Sequence, residues 1–168
     1  DYRYASELVL ELKHMGDFCI GGACYPEGHP ESKNKEEDIL HLKEKVDAGC
    51  DFLTTQMFFD NNLFYNFLYR IRDKGIRVPV VAGIMPVTNA KQIRRILSMS
   101  ETYLPMRFKM LLDKFGDNPA AMKQAGIAYT TEQIIDLVAN DVHAIHIYSM
   151  NRPDVAEQIK KSLSEIIV

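Results

Sequence analysis

Gly21-Gly22-Ala23-Cys24-Tyr25-Pro26-Glu27-Gly28-His29-Pro30-Glu31-Ser32, and after a charged stretch Phe52-Leu53-Thr54-Thr55-Gln56-Met57-Phe58-Phe59-Asp60, decide how this chain folds. The first segment reads as the end of a strand running into a polar loop, and the second as the next strand. Between them an amphipathic helix is predicted from Asn34 to Gly49: Asn34-x-x-Glu37 has the form of a capping box, Ile39, Leu42 and Val46 form its apolar stripe, and Gly49 stops it. Strand, covering helix and strand make a parallel unit, and in parallel α/β folds ligands bind beyond the carboxyl ends of the strands. Tyr25, His29 and Gln56 stand at those ends.

Working outward, a helix is predicted over residues 4–14, where Tyr4, Leu8 and Leu12 recur with Val9 beside them, and Gly16 ends it. Phe18–Cys24 is the first strand and Phe52–Phe59 the second, with Gln56 on the face of Phe52, Thr54 and Phe58. Leu63 to Ile71 continues as a helix ending before Gly75. Val78–Met85 is an apolar, β-branched run of the kind that fills a strand buried on both faces. A helix opens at Asn89, and helical signals fill 103–140, with breaks expected at Gly116–Pro119 and again near Gly126. Val142–Met150 is the fourth strand, with His146 and Tyr148 on one face and Ile145 and Ile147 on the other. A last helix opens at Asn151 and runs through Leu163. The pattern predicts one domain over 1–168, α/β, with four parallel strands; it fits either an open four-stranded sheet or half of an eight-stranded barrel, whose whole takes about 250 residues.

Composition narrows the classes. The 168 residues are 46% hydrophobic and 26% charged with a net charge of -3, which is a globular composition without the basic footprint of nucleic-acid or anionic-membrane binding. No apolar run reaches the roughly 20 residues of a membrane span, and the first residues lack the form of a signal peptide. Cys19, Cys24 and Cys50 are odd in number and lie in or beside strands, as suits reduced thiols in a cytoplasmic protein; a Cys-x4-Cys pair can also serve a metal, but strand burial is the expectation, and no metal site is predicted.

The motifs Ala-x-Tyr-Pro-Glu-x-His-Pro-Glu, Leu-Lys-x-Lys-Val-Asp-Ala-Gly, Thr-Gln-x-Phe-Phe-Asp, Gly-Ile-x-Pro and His-x-Tyr-x-x-Asn-Arg follow one another here in the order and spacing of methylenetetrahydrofolate reductases. The chain resembles that family over essentially its whole length. The resemblance implies a (β/α)8 TIM barrel of which this chain carries the C-terminal half, strands five to eight, and a flavin enzyme that passes a hydride from NAD(P)H through FAD to methylenetetrahydrofolate. It places cofactor contacts at Tyr4, Ala5, Tyr25, His29, Asp38 and Lys45, and substrate contacts at Gln56, Gln92, Tyr148 and Arg152. The family's general-acid glutamate and its flavin-side aspartate fall outside these residues, so no catalytic residue is expected within the chain; Glu27 and Glu31 sit in the wrong loop to replace them. Ile96 departs from relatives that carry an aromatic residue there.

The residues fit these roles chemically, and each has a plainer reading. Lys45 is a point charge suited to a pyrophosphate, and Asp38, which would repel phosphate, suits a ribityl or ribose hydroxyl. Seven residues apart, the two share a helix face, which could equally be a solvated one. Gln56 offers the donor and acceptor that a pterin edge needs. Gln92 also completes a capping box with Asn89, Tyr148 could fill a barrel core, and Arg152 could be a surface cation at a helix start. Partners expected are the folate, and either a second copy of the chain or a missing N-terminal half. A flavin-free barrel binding folate for methyl transfer, and a non-catalytic half-barrel, remain the alternatives.

Overall fold

The structure, a computed structural model, describes residues 2–99 and 102–167. Among these described residues eleven elements alternate largely as anticipated. In order they are α1 (Ala5–Met15), β1 (Gly21–Cys24), α2 (Lys35–Asp47), β2 (Phe52–Thr55), α3 (Asn61–Asp73), β3 (Val80–Ile84), α4 (Ala90–Met99), α5 (Met106–Phe115), α6 (Pro119–Ala139), β4 (Ile145–Ile147) and α7 (Pro153–Ser162). All strand pairings are parallel, in the order β1-β2-β3-β4. The chain divides into two compact units, one formed by residues up to Gln56 with Asn62–Val81, the other by Met57–Asn61 with Ala82 onward.

In the first unit Gly22 pairs with Leu53 and Leu53 with Val80, so these positions share one face of the strands. Leu53, with Cys24, packs against Ile39 and Leu42 of α2 and Phe67 and Ile71 of α3. The opposite face carries Gly21, Ala23, Phe52, Thr54 and then Gln56, all exposed or half-exposed. Alternation of period two produces this division: the sheet is wet on one side and covered by helices on the other.

β1 is shorter than expected because side chains replace its ladder at the start. The Lys13 ammonium donates to the Phe18 carbonyl at 2.8 Å, and the Asp51 carboxylate accepts from the Ile20 N–H at 2.7 Å. α2 begins as predicted, with Asn34 Oδ1 accepting from the N–H groups of Glu36 and Glu37; Glu37 reaches back to the Lys33 N–H rather than to that of Asn34. β2 ends four residues early. Phe58 and Phe59 leave the strand and are both buried in the second unit, where α6 takes their carbonyls: Gln133 Nε2 donates to Phe58 at 3.0 Å and the Tyr129 hydroxyl to Phe59 at 2.7 Å.

The second unit is built on Phe59, Met85, Val87, Ile93, Phe108, Leu112 and Met122, with Phe59 stacked on Phe108 at 5.2 Å. The break expected near Gly126 is absent, and α6 runs unbroken through 21 residues. Glycine stands there for closeness, since a Cβ would lie 1.8 Å from the Val87 carbonyl oxygen. β4 keeps the predicted alternation but is three residues long. Met150 and Asn151, at φ of 50° and 63°, turn the chain out of the strand before α7.

Candidate functional site

In the first unit a cavity of about 450 Å³ opens beyond the carboxyl end of β1. Its walls are the start of α1 (Arg3 to Ser6), the end of β1 with its loop (Ala23, Cys24, Tyr25, His29, Glu31, Ser32) and one face of α2 (Asp38, His41, Leu42, Glu44, Lys45). The volume falls in the range of small-molecule and cofactor sites. Tyr4, Ala5, Tyr25, His29, Asp38 and Lys45, the six positions matched to cofactor contacts by sequence, all line it although they come from three separate elements.

Local sequence explains how each is placed. The Gly28 N–H donates to the Tyr25 carbonyl at 3.0 Å, closing a turn with Pro26 second and Gly28 fourth, and Gly28 adopts a φ of 100° that only glycine takes without strain. The turn sets the His29 ring edge-on to Tyr25 with centroids 4.6 Å apart. His29 Nδ1 accepts from the Glu31 N–H at 3.2 Å, so a neutral ring carries its proton on Nε2 and keeps a donor there. The ammonium of Lys45 donates to the Ala23 carbonyl at 2.7 Å, tying the middle of α2 to the end of β1. Alongside, the Gln56 N–H donates to the Cys24 carbonyl at 2.7 Å; Gln56 itself is exposed, on the face opposite Leu53 and Thr55, and is not part of the cavity lining.

Burial sets the electrostatics. Asp38 is 8% exposed, and desolvation raises its carboxyl above the usual range, against the opposing pull of the His29 backbone N–H, the His29 ring, the Ser32 hydroxyl and Lys45. Tyr25 is raised by burial and by the negative charge of Asp38, so its hydroxyl stays a donor at neutral pH. Burial pushes the Cys24 thiol up to about 12, which leaves it a packing group rather than a nucleophile. None of the three cysteines is in a disulfide.

Asp38 therefore sits at a cost to the fold. A carboxyl raised in the folded state favours folding fully below its unfolded value of 3.8 and loses that contribution as pH rises through the folded value. Asp38→Asn, neutral throughout, is expected to stabilise the chain against urea at about pH 7 and to have little effect at about pH 3.5. Equal midpoint shifts at both would show that the carboxylate is well solvated.

The three positions in the second unit that the sequence matched to substrate contacts have other local partners. Asn89 Oδ1 accepts from the Lys91 N–H at 2.8 Å and the Gln92 N–H at 3.4 Å, so the N-terminal signal of α4 is a working cap, with Gln92 half-buried in its first turn. Tyr148 meets His146 edge-on at 4.6 Å and packs, as Ile96 does, against the core of this unit. Arg152 precedes α7 and pairs with Asp154 through Nε at 3.1 Å and Nη2 at 3.2 Å, and Asp154 also takes Lys123 at 2.8 Å. Arg152 and Lys123 hold the Asp154 carboxyl well below the usual range, and this pairing offsets the unfavourable cation at a helix start. A second cavity, of about 460 Å³, lies among Ile145, Ile147, Ile159, Leu163 and Ile167 and contains none of these three residues.

Sequence reasoning missed Arg3, Ser32 and His41 in the first cavity. His41 carried a signal, since it lies three residues after Asp38 and four before Lys45 and so shares their helix face. Ser32 gave none: its 3.4 Å contact to Asp38 depends on the path of the loop.

A parallel α/β chain with a polar cavity beyond its first strand end belongs among small-molecule enzymes and binding proteins of that architecture. The family model for methylenetetrahydrofolate reductase matches residues 1–164. The chain is 36% identical over 160 residues to 5,10-methylenetetrahydrofolate reductase of Pectobacterium carotovorum, covering 95% of this chain and 54% of that protein. It is 35% identical over 158 residues to methylenetetrahydrofolate reductase (NADH) 1 of Arabidopsis thaliana, covering 88% of this chain and 27% of that one. The chain belongs to the methylenetetrahydrofolate reductase family. It spans about half the length of its bacterial relatives. A solved structure from Clostridium thermocellum, described as an uncharacterized protein that binds two copies of 5-methyl-5,6,7,8-tetrahydrofolic acid, shares the fold at a TM-score of 0.54 and 15% identity, covering 93% of this chain and 57% of that one.

Proposed function

We propose that this chain is the C-terminal half, strands five to eight, of a (β/α)8 barrel that reduces 5,10-methylenetetrahydrofolate to 5-methyltetrahydrofolate with NAD(P)H, in the cytoplasm, using FAD. The observation that carries the reading is the gathering of Tyr4, Ala5, Tyr25, His29, Asp38 and Lys45 around one cavity at a strand end. Their chemistry fits a ligand with phosphates and hydroxyls: an ammonium for charge, the Tyr25 hydroxyl and the His29 ring as donors, and a buried carboxylate as acceptor. When bound, the flavin supplies the hydride relay, taking two electrons from a nicotinamide and passing them to the folate. The chain's own part is to bind and orient. Lys45, held by Ala23, presents its charge at a fixed depth, Asp38 accepts from a ribityl or ribose hydroxyl, and Gln56 offers its amide to the pterin edge, with Gln92, Tyr148 and Arg152 as further folate contacts.

Two experiments test the reading. The protein that carries this segment should be isolated yellow, with a flavin absorption band; a colourless protein that still binds folate would favour a flavin-free methyl-transfer barrel, and one that binds neither would favour an assembly module. In the same protein, Gln56→Ala is expected to raise KM for methylenetetrahydrofolate by about tenfold or more, the consequence of one lost polar pairing in a buried complex, with flavin content unchanged. An unaltered KM would remove Gln56 from the folate site.

A further inference from the structure

Arg3 lines the cavity at the start of α1, and nothing in the family resemblance gives it a role. Its backbone is fixed: Glu7 Oε2 accepts from the Arg3 N–H at 2.7 Å and from the Tyr4 N–H at 3.4 Å. The guanidinium lies 5.2 Å from the centroid of the Tyr4 ring, and it forms no ion pair among the described residues. Three carboxylates, Glu31, Asp38 and Glu44, line the same space against only two permanent cations, Arg3 and Lys45, and the Lys45 ammonium already donates to Ala23. A ligand bringing two negative charges into such a cavity needs a second cation. We propose that Arg3 is the residue by which this cavity recognises the pyrophosphate bridge of a flavin dinucleotide, selecting it over flavins that lack the bridge. The inference rests on the flavin reading above and adds a specificity-determining residue to it.

The physical case is one of geometry and hydration. A guanidinium presents paired N–H groups in a plane and meets two phosphate oxygens at once, whereas Lys45 acts as a point charge. Being weakly hydrated and resting over an aromatic ring, it loses less on leaving water than an ammonium does. Fixing the backbone at Arg3 and Tyr4 through Glu7 leaves only side-chain torsions to be ordered on binding.

The test is a calorimetric titration of the flavin-free protein that carries this segment with FAD, FMN and riboflavin. The Arg3→Gln variant is expected to weaken FAD by about tenfold, FMN by less, and riboflavin by no more than about twofold. Arg3→Lys should recover part of the loss, and the difference between wild type and variant should shrink as salt is raised. Equal FAD affinity in wild type and Arg3→Gln would overturn the inference while leaving the flavin reading in place. An equal loss for riboflavin would overturn it too, by showing that Arg3 shapes the cavity rather than meeting phosphate. Should none of the three flavins bind the wild-type protein, the flavin reading itself falls, and the role of Arg3 with it.

Discussion

Purified alone, the 168-residue chain is expected to show no NAD(P)H-dependent reduction of methylenetetrahydrofolate, to hold FAD more weakly than micromolar, and to self-associate. The family resemblance puts the general-acid glutamate outside these residues, and loss of a positioned acid removes a factor of roughly 10²–10⁴ in rate. On the half-barrel reading, flavin contacts from the other strand ends would be lost as well, and every 1.4 kcal/mol of them is worth about tenfold in affinity. Self-association follows from what the two units leave open. Among the described residues β1 pairs only with β2, and β4 only with β3, so each presents an unpaired edge. Near β1, Leu8, Met15 and Phe18 are 41%, 69% and 51% exposed; beside β4, the apolar cavity of about 460 Å³ stands among isoleucines and Leu163. The open strand face itself adds little apolar surface, because β1 contributes only Gly21 and Ala23 there. Light scattering and a FAD titration decide the matter: a stable monomer that binds FAD at micromolar affinity or better and turns over would refute the half-barrel reading.

Gly126→Ala is expected to destabilise the chain by about 3 kcal/mol or more, a large loss for one methyl group. On helix propensity alone the change should help by about 1 kcal/mol, since alanine is the better helix former. Packing reverses the sign. The added Cβ would stand 1.8 Å from the Val87 carbonyl oxygen and 2.7 Å from its carbon, so it meets backbone rather than a side chain that could swing aside. Relief requires α6 to move away from the segment after β3, and α6 is also pinned to Phe58 and Phe59 through Gln133 and Tyr129. A urea midpoint, or a melting temperature lower by about 6 °C or more, reads the effect. A variant as stable as wild type would mean that α6 slides freely over Val87.

Local signals carried much of the architecture. The Asn34 and Asn89 caps, the alternation in β2 and β4 and the apolar run of β3 are properties of short segments, and each produced the element it announced. Strand ends were read poorly, because partners distant in sequence decide them. Asp51 and Lys13 satisfy the backbone before β1, and α6 captures Phe58 and Phe59 after β2, contacts separated by as many as 75 residues. Gly126 misled for the same reason: a glycine in a helical pattern signals a break when judged locally, and here it marks a close approach to another backbone.

The lining of the first cavity was legible to a similar degree. Residue types matched to a family motif named six positions, and helix periodicity put Asp38 and Lys45 on one face, because both arguments need only the order of residues and the pitch of a helix. What the order of residues cannot carry is the environment. Burial of Asp38, the tie from Lys45 to Ala23, the tautomer of His29 and the presence of Arg3 in the same cavity arise where α1, the β1 loop and α2 meet. Sequence by itself determined the parallel strand-helix succession and the chemical types available at the strand ends, since these follow from local sterics and periodicity. Tertiary structure alone decided which of those groups share one volume and how they are charged, because desolvation and Coulomb interaction depend on distances between segments, and those distances exist only after the chain has folded.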